Sequence, residues 1–193
     1  MFTGIISAQS KVMGHAGADG SIVFAFQRPP KWHIKKGDSI AVNGICSTVS
    51  GLTRTSFAVE YMPETVHKTT VAQWQRGMGV NLESSLRYGD TLGGHLVMGH
   101  IDCVGIVRQV GRQGRSRAVR IAIPRKFSRY IAPKGSVAID GVSLTVVRAG
   151  RGFFSVALVD YTRRHTTLGF LREGMAANIE CDIVGKYLEQ LAA

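Results

Sequence analysis

The sequence predicts an all-β protein built from two tandem copies of one small barrel domain. Residues 39–83 recur as residues 136–180 at a constant offset of 97 residues, with 15 identities in 45 positions. Unrelated segments of ordinary composition would share roughly three identities. A 97-residue period exceeds the roughly 20 to 50 residues of solenoid and propeller units, so each copy should have its own core.

Both halves consist mainly of short alternating or β-branched runs separated by Gly, Asn or Pro, which are typical of strands. The first half has predicted strands at 21–26, 39–42, 48–52, 56–61 and 79–82, with a short helix at 64–72. The second half has strands at 118–123, 137–139, 144–147, 153–159 and 176–179, with helices at 125–131 and 162–168. A terminal helix is predicted at 184–191.

Two hairpin turns occupy equivalent positions in the two copies. Asn43-Gly44 and Asp140-Gly141 each lie between apolar alternating runs. A type I′ turn needs two residues that tolerate positive φ, and these dipeptides meet that need. Five or six short strands per half with regular turns favour a closed or partly closed barrel, which also removes exposed sheet edges.

The boundary between the halves falls near residues 88–94, which are rich in glycine and lack periodicity. We therefore expect an N-terminal barrel over residues 1–92, a C-terminal barrel over residues 93–183 and a short helix over residues 184–193.

The composition indicates a globular protein of a reducing compartment. Hydrophobic residues make up 45% and charged residues 19% of the chain, and no apolar run is long enough to span a bilayer. The first residues do not resemble a secretory signal, so we expect a cytoplasmic location and no membrane partner. Three widely spaced cysteines argue against a disulfide framework and predict reduced thiols.

The net charge of +11 raises the possibility of nucleic-acid binding. The arginines from Arg108 to Arg129 are spread along the chain, with no helix-turn-helix, zinc-finger or RNP pattern around them. This distribution favours a solvated basic face over a nucleic-acid partner.

Residues 93–102 form the most unusual local string, because His95 and His100 lie among glycines where one half gives way to the next. Such a string indicates close approach of the backbone to another group. The spacing differs from the i, i+4 histidines of a helical zinc site, so we expect no metal. The histidines could be structural or could contact a polar ligand.

Cys46 and its counterpart Ser143 each follow a hairpin turn, and each precedes a repeated threonine, Thr48 or Thr145. A lone cysteine can be a small buried hydrophobe. Alternatively, Cys46 presents a thiol or thiolate to a ligand and Ser143 offers a hydrogen bond in the equivalent site. No Ser-His-Asp spacing is visible, so covalent acylation is not indicated.

The predicted helix starts offer further candidates. Glu64 and Thr65 could cap a helix, or they could hold ligand hydroxyls beside free backbone N–H groups. Phe2 and Tyr61 could stack on a heterocycle or belong to the core. No GxGxxG or GxxxxGK[ST] string is present, so dinucleotide and nucleoside triphosphate sites have no motif support.

Seven strings in this order resemble the alpha-chain type of riboflavin synthase from end to end. They are residues 1–6 (MFTGII), 43–49 (NGICSTV), 63–65 (PET), 80–83 (VNLE), 93–102 (GGHLVMGHID), 140–146 (DGVSLTV) and 178–180 (NIE). The resemblance implies tandem duplicated six-stranded Greek-key barrels, each binding a lumazine, with a short C-terminal helix around which three chains assemble. It implies that two molecules of 6,7-dimethyl-8-ribityllumazine exchange a four-carbon unit, giving riboflavin and 5-amino-6-(D-ribitylamino)uracil without cofactor or metal. Lumazine synthase is an implied partner.

The resemblance also implies the site residues. Cys46, His95, His100 and Ser143 would be catalytic, with His100 handling protons, and the productive site would form between the N-terminal half of one chain and the C-terminal half of a neighbour. Lys134, Ser39 and Asp182 are further candidates. The implied substrate contacts are Phe2, Gly4, Ile5, Ile6, Ser39, Ser47, Thr48, Glu60, Tyr61, Met62, Pro63, Glu64, Thr65, Gly99, Ile101, Lys134, Leu144, Thr145, Ala157, Leu158, Val159, Asp160, Tyr161 and Thr162.

The sequence departs from the family at three places. Asp160-Tyr161-Thr162 stands where Pro-Glu-Thr is common in the second half, Ser47 replaces a leucine, and Cys103 replaces a glycine. The alternative to the enzyme is a lumazine- or flavin-binding protein of the same fold that carries its chromophore unchanged. Retention of His95, His100 and Cys46 favours the enzyme.

Overall fold

The chain folds into two closed antiparallel barrels of six strands each, as a computed structural model that describes residues 1–18 and 20–192 shows. The first barrel contains β1 (Ala8–Ala18), β2 (Ser21–Gln27), β3 (Ser39–Val42), β4 (Ile45–Leu52), β5 (Ser56–Tyr61) and β6 (Gly79–Ser84). The second contains β7 (Cys103–Gln113), β8 (Ser116–Ala122), β9 (Ser136–Ile139), β10 (Val142–Gly150), β11 (Phe153–Leu158) and β12 (Ala176–Cys181). The predicted fold class is confirmed.

The two barrels have the same strand order, β1-β2-β5-β4-β3-β6 and β7-β8-β11-β10-β9-β12. The matched bulges in β1 and β7, at Val12/Gly14 and Val107/Gln109, show that the duplication extends beyond the repeated segment. Neither of these strands is predicted from the sequence. Their glycines and charged residues interrupt the alternation on which a strand prediction depends.

The helical segments are shorter than predicted. The helix expected at 64–72 is α1 (Pro63–Lys68) followed by a 3₁₀ turn at Val71–Gln73, and that expected at 162–168 is α2 (Asp160–His165) followed by a 3₁₀ turn at Thr167–Phe170. The helix expected at 125–131 is a 3₁₀ helix, Arg125–Tyr130. The C-terminal helix α3 spans Ile183–Ala192. No helix in the described part of the chain is both long and apolar enough to cross a membrane.

Each barrel has its own core, and the two cores differ in kind. In the first barrel, Trp74 meets the rings of Phe24, Phe26 and Tyr61 edge-on at centroid distances of 5.5, 5.8 and 5.7 Å. The second core is mainly aliphatic, with Phe154 buried in it, and its fully buried aliphatic residues include Val107, Ile121, Ile139, Leu158, Leu168 and Ile179. The duplication therefore preserved the strand pattern while the side chains that fill each barrel diverged.

The two hairpin turns meet where the barrels join. Asn43, Gly44, Asp140 and Gly141 all have positive φ, at 44°, 78°, 45° and 80°, as the type I′ prediction required. A Cβ on Gly44 would lie 2.6 Å from the backbone nitrogen of Gly141. Only glycine allows this approach, because any side chain there would collide with backbone.

Reciprocal hydrogen bonds from two buried asparagines fix the junction. The Asn81 Nδ2 donates to the Asp140 carbonyl at 3.0 Å, and the Asn178 Nδ2 donates to the Asn43 carbonyl at 2.9 Å. Their side-chain oxygens accept from the Thr167 and Thr70 amides, each at 2.8 Å. Because these groups are buried and bonded in pairs, the two barrels are held in one relative orientation.

Candidate functional site

The chain has two equivalent candidate sites. At each one, the segment that precedes one barrel lies against the other barrel. Residues 1–6 precede the first barrel and residues 96–101 precede the second, and Phe2 and Val97 pair in an antiparallel bridge. The Phe2 and Val97 amides each donate to the other residue's carbonyl, at 2.7 and 3.1 Å. Each barrel's site is thereby completed by the segment that leads into the other barrel.

Glycines allow each segment to rest against the key residue of its site. The Gly99 carbonyl accepts from the Cys46 amide at 2.9 Å, and the Gly4 carbonyl accepts from the Ser143 amide at 2.8 Å. Both glycines have positive φ, and a Cβ on either would lie 2.6 Å from the Cβ of Cys46 or Ser143. Glycine is therefore required at both positions.

Two buried carboxylates hold these segments. Glu180 accepts from the Met98 and Gly99 amides at 2.7 and 2.9 Å. Glu83 accepts from the Thr3 and Gly4 amides at 2.7 and 3.0 Å. Burial raises the pKa of Glu180 to about 7 and also raises the pKa of Glu83. The N–H donors favour the ionised form of both groups, but burial outweighs them.

The first site is an open pocket of ≈ 210 Å³, here called the Cys46 pocket. Six predicted site residues line it, namely Cys46, Glu64, Thr65, Gly99, His100 and Ile101. Ile45, Lys68 and Thr69 also line it and are not among the predicted site residues. Thr69 is one of the identities between the two copies, and Lys68 follows Glu64 by one helical turn, so a sequence signal existed for both.

The Cys46 thiol is half-buried, and burial raises its pKa. It is therefore a protonated thiol at neutral pH, which supports the thiol form of the earlier hypothesis over the thiolate. His100 is exposed at the mouth of the pocket. Glu64, in the first turn of α1, pairs with Lys68 at 2.6 Å, and this pairing lowers the pKa of Glu64.

The second site, here called the Ser143 site, comprises Ser143, His95, Gly94, Gly4 and Ile5. The His95 Nδ1 lies 2.7 Å from the Ser143 Oγ, and burial lowers the pKa of His95. The imidazole is therefore neutral at pH 7. Its Nε2 is buried without a hydrogen-bond partner among the described residues. This nitrogen is available to a ligand that reaches it.

The segments that complete the two sites differ at the position that follows the glycine. Ile5 lies one residue after Gly4, as His100 lies one residue after Gly99, and Ile5 is 50% exposed. An imidazole therefore follows the glycine that contacts Cys46, whereas an aliphatic side chain follows the glycine that contacts Ser143. Only the folded arrangement shows which residue belongs to which site, because the segments are exchanged between the barrels.

Several predicted contacts lie in the core. Phe2 is fully buried against Val97 and neighbouring alanines, so its ring belongs to the core, which is one of the two alternatives that the sequence left open, and its contact with substrate stays a prediction. Ser47 and Tyr61 are buried, with their hydroxyls 2.8 Å apart inside the first barrel. Leu158 is likewise fully buried. Strand alternation turns these side chains inward.

The remaining candidates are exposed or partly buried. The exposed ones are Thr48, Glu60, Met62, Lys134, Thr145, Val159, Asp160 and Tyr161, and the partly buried ones are Ile6, Ser39, Pro63, Leu144, Ala157, Thr162 and Asp182. Ser39 lowers the pKa of the Cys46 thiol, but by less than burial raises it. Asp160 and Tyr161 occupy the first turn of α2, where Asp160 pairs with Arg164 at 2.8 Å. In the described part of the chain, no cluster of three or more His, Cys, Asp or Glu side chains is arranged to hold a metal ion.

Comparison with known proteins gives a consistent result. The family described as "Lumazine binding domain" matches residues 3–85 and again residues 98–182. The riboflavin synthases of Actinobacillus pleuropneumoniae and Mycobacterium bovis are each 38% identical to the chain. Their alignments cover 98% and 99% of this chain and 89% and 98% of the relatives. The Bacillus subtilis riboflavin synthase is 33% identical over 97% of this chain and 88% of its own.

Solved structures of similar fold include LumP complexed with riboflavin and LumP complexed with 6,7-dimethyl-8-(1'-D-ribityl) lumazine. They match with TM-scores of 0.87 and 0.85 at 23% and 22% identity, and each alignment covers 94% of this chain and 99% of the other. At this level of identity the match establishes the shared fold.

Proposed function

The chain belongs to the riboflavin synthase family, with a lumazine-binding domain in each half, and from this premise we propose how its two sites carry the reaction. It is a transferase that converts two molecules of 6,7-dimethyl-8-ribityllumazine into riboflavin and 5-amino-6-(D-ribitylamino)uracil. The observation that carries the proposal is the pair of equivalent sites around Cys46 and Ser143. A reaction that consumes two copies of one molecule fits a chain that contains two copies of one site.

In the Cys46 pocket, the ring of one lumazine lies against Cys46, and its ribityl chain runs towards the start of α1. Thr65 and Glu64 line that end and supply a hydroxyl and a carboxylate for the ribityl hydroxyls. His100, at the mouth, takes a proton from the methyl group at ring position 7, because a histidine side chain can act as a general base. The protonated Cys46 thiol contacts the ring and donates a weak hydrogen bond.

At the Ser143 site, the second lumazine contacts the hydrogen-bonded side chains of His95 and Ser143. The neutral His95 ring holds the Ser143 hydroxyl, and its unpartnered Nε2 can bond a ring carbonyl or a ring N–H according to its tautomer. Thr145, Lys134 and Asp182 are the additional polar groups that we assign to this side. Positioning two rings turns a bimolecular encounter into an intramolecular one, which can contribute roughly 7 to 11 kcal/mol.

We propose that the productive site forms between chains. The Cys46 pocket, at ≈ 210 Å³, is smaller than the roughly 300 to 1,000 Å³ of typical small-molecule sites. A further wall, supplied by the Ser143 site of a neighbouring chain and its bound ring, would complete it. Exposed apolar residues beside both sites, such as Met62 at 60% and Tyr161 at 71%, fit burial in such a contact.

The C-terminal helix supports a trimer. Val184, Tyr187, Leu188 and Leu191 are all more than half exposed and recur at the spacing of one helical face. We propose that three copies of α3 pack together along this stripe. A cytoplasmic location and association with lumazine synthase remain predictions from the family resemblance.

Mixing the purified protein with 6,7-dimethyl-8-ribityllumazine and recording flavin absorbance tests the proposal. We expect riboflavin to accumulate, with a loss of at least about a hundredfold in kcat for His100→Ala, as general acid-base catalysts contribute about that much or more. Ile5→Ala alters the matched position of the Ser143 site without removing a proton carrier and is the control. Accumulation at the wild-type rate in His100→Ala would contradict the assigned role.

The alternative, a carrier that binds lumazine or flavin without turnover, shares the fold of the LumP structures. A carrier would shift the ligand's absorbance or fluorescence and produce no riboflavin. The same experiment therefore separates the two functions.

A further inference from the structure

The outer face of the second barrel carries a row of polar side chains across four neighbouring strands. Strand pairing sets Gln109 of β7 opposite Arg120 of β8, Arg120 opposite Ser155 of β11, and Ser155 opposite Arg148 of β10. All four residues line one groove of ≈ 480 Å³. We call this set, Gln109, Arg120, Ser155 and Arg148, the arginine row.

The first barrel offers a direct comparison. Its strands pair in the same register and with the same bulges, so the positions that match the arginine row can be identified. They are Gly14, Ala25, Ala58 and Gly51. The barrel therefore closes with four small uncharged residues at this row. The two arginines, the hydroxyl and the amide of the second barrel are not needed by the fold.

A stacking contact orders one arginine of the groove. Arg120 and Arg148 flank Ser155 on either side, about two strand spacings or roughly 10 Å apart at their Cα atoms. The Arg120 guanidinium lies 4.0 Å from the centroid of the Phe153 ring, which packs in turn on Gly150. This stacking orders the guanidinium before a ligand arrives and leaves its edge free for hydrogen bonds.

The groove has an uncompensated positive charge. Arg112 also lines it, and within residues 1–18 and 20–192 no carboxylate forms an ion pair with Arg112, Arg120 or Arg148. Residues 93–193 hold 15 of the 24 Lys and Arg residues but only 7 of the 13 Asp and Glu residues. Like charges on one sheet face repel each other, so a bound anion would stabilise this surface.

We propose that the arginine row binds a small molecule through a phosphate or diphosphate group. Two guanidinium groups that flank a hydroxyl and an amide match the several acceptor oxygens of such a group. The groove has room for a phosphorylated molecule larger than the ion itself. Nucleic acid fits less well, because Phe153 is covered by Arg120 and Gly150 and offers little ring surface for base stacking. The site is separate from the lumazine sites.

Calorimetric titration of the full-length protein with pyrophosphate tests the proposal. The double variant Arg120→Ala and Arg148→Gly replaces the two arginines with the residues found at the matched positions of the first barrel. It should raise the Kd for pyrophosphate at least about tenfold. The variant residues already occupy the matched positions of a closed barrel, so the fold should tolerate them. Arg151→Ala removes one exposed arginine of the adjacent turn, outside the arginine row, and should leave the Kd unchanged, so it controls for the loss of a positive charge elsewhere on this barrel.

Three further readouts make the result decisive. Conversion of lumazine should stay at the wild-type rate in the double variant, and circular dichroism should show an intact fold. Binding should weaken as salt is raised, as expected for ionic contacts. Failure of pyrophosphate to bind at millimolar concentration, or an equal Kd in wild type and double variant, would overturn the proposal. So would a 20-nucleotide single strand that binds through the row far more tightly than pyrophosphate, since that would identify a nucleic-acid surface.

Discussion

Asp140 provides a direct test of how the barrel junction depends on protonation. It occupies the hairpin turn matched by Asn43 in the first barrel, and its Oδ1 accepts from the Asn178 amide at 2.8 Å. The Asn43 Oδ1 accepts from the Asn81 amide at 2.7 Å in the same way. Burial raises the pKa of Asp140 from its ordinary value of 3.8 to about 7. An asparagine in this turn makes the same bond without a titratable group.

The sign and size of the effect follow from linkage. Because the pKa is raised in the folded state, the unfolded chain releases its proton first, and stability is lost as the pH rises from about 4 through about 7. At pH 8 the full penalty is about 4 kcal/mol, since each pKa unit corresponds to about 1.4 kcal/mol. The free energy of unfolding of Asp140→Asn, relative to that of wild type, should therefore increase by about 3 kcal/mol from pH 5 to pH 8.

Urea unfolding of both proteins at pH 5 and pH 8 measures this difference. The raised pKa values of Glu83 and Glu180 also make stability depend on pH, but both proteins retain them, so they cancel. The reciprocal variant Asn43→Asp should lose stability mainly at pH 8, because it places a carboxylate in the matched buried turn. If Asp140→Asn differed from wild type by the same amount at both pH values, the carboxyl would have an ordinary pKa and the reasoning would fail.

Three further predictions follow from the duplication and the cores. Glu180→Gln should lower kcat/KM about tenfold, because it loosens the segment beside the Cys46 pocket. Glu83→Gln should instead perturb the Ser143 site. Fluorescence titration that resolves two lumazine sites per chain shows at which site each variant weakens binding. Gly44→Ala should destabilise the protein by about 3 kcal/mol or more, because the Cβ meets the facing glycine's backbone at 2.6 Å. Gly77→Ala, where φ is also positive but the space is open, should cost about 1 kcal/mol, and thermal denaturation compares the two. Tyr61→Phe should lower stability by about 1 kcal/mol without changing catalysis if its hydroxyl serves only the core, and a large fall in kcat would show instead that this hydroxyl reaches the substrate.

The architecture could be predicted because its signals are local. Asn43-Gly44 and Asp140-Gly141 specify type I′ turns through their own backbone preferences, and strand alternation between such turns requires little knowledge of distant residues. The strands β1 and β7 could not be predicted in this way. Their pairing is fixed by partners far along the chain, which override the weak preference of their own glycine-containing sequences.

The candidate site could be predicted only in part. Cys46, His100 and Glu64 were identified from the family strings and do share one pocket. Phe2 could not be assigned from the sequence, because an aromatic residue in a short motif can face either a ligand or the core, and only packing shows which.

By itself the sequence determined two barrel domains, their turns and the family, since repeats, turn dipeptides and alternation can all be recognised in the linear order of residues. The tertiary structure alone decided that residues 1–6 complete the Ser143 site, that residues 96–101 complete the Cys46 pocket, and that the arginine row lies on one face. These arrangements depend on hydrogen bonds and register between residues far apart in the chain, and a linear pattern does not encode which distant partners meet.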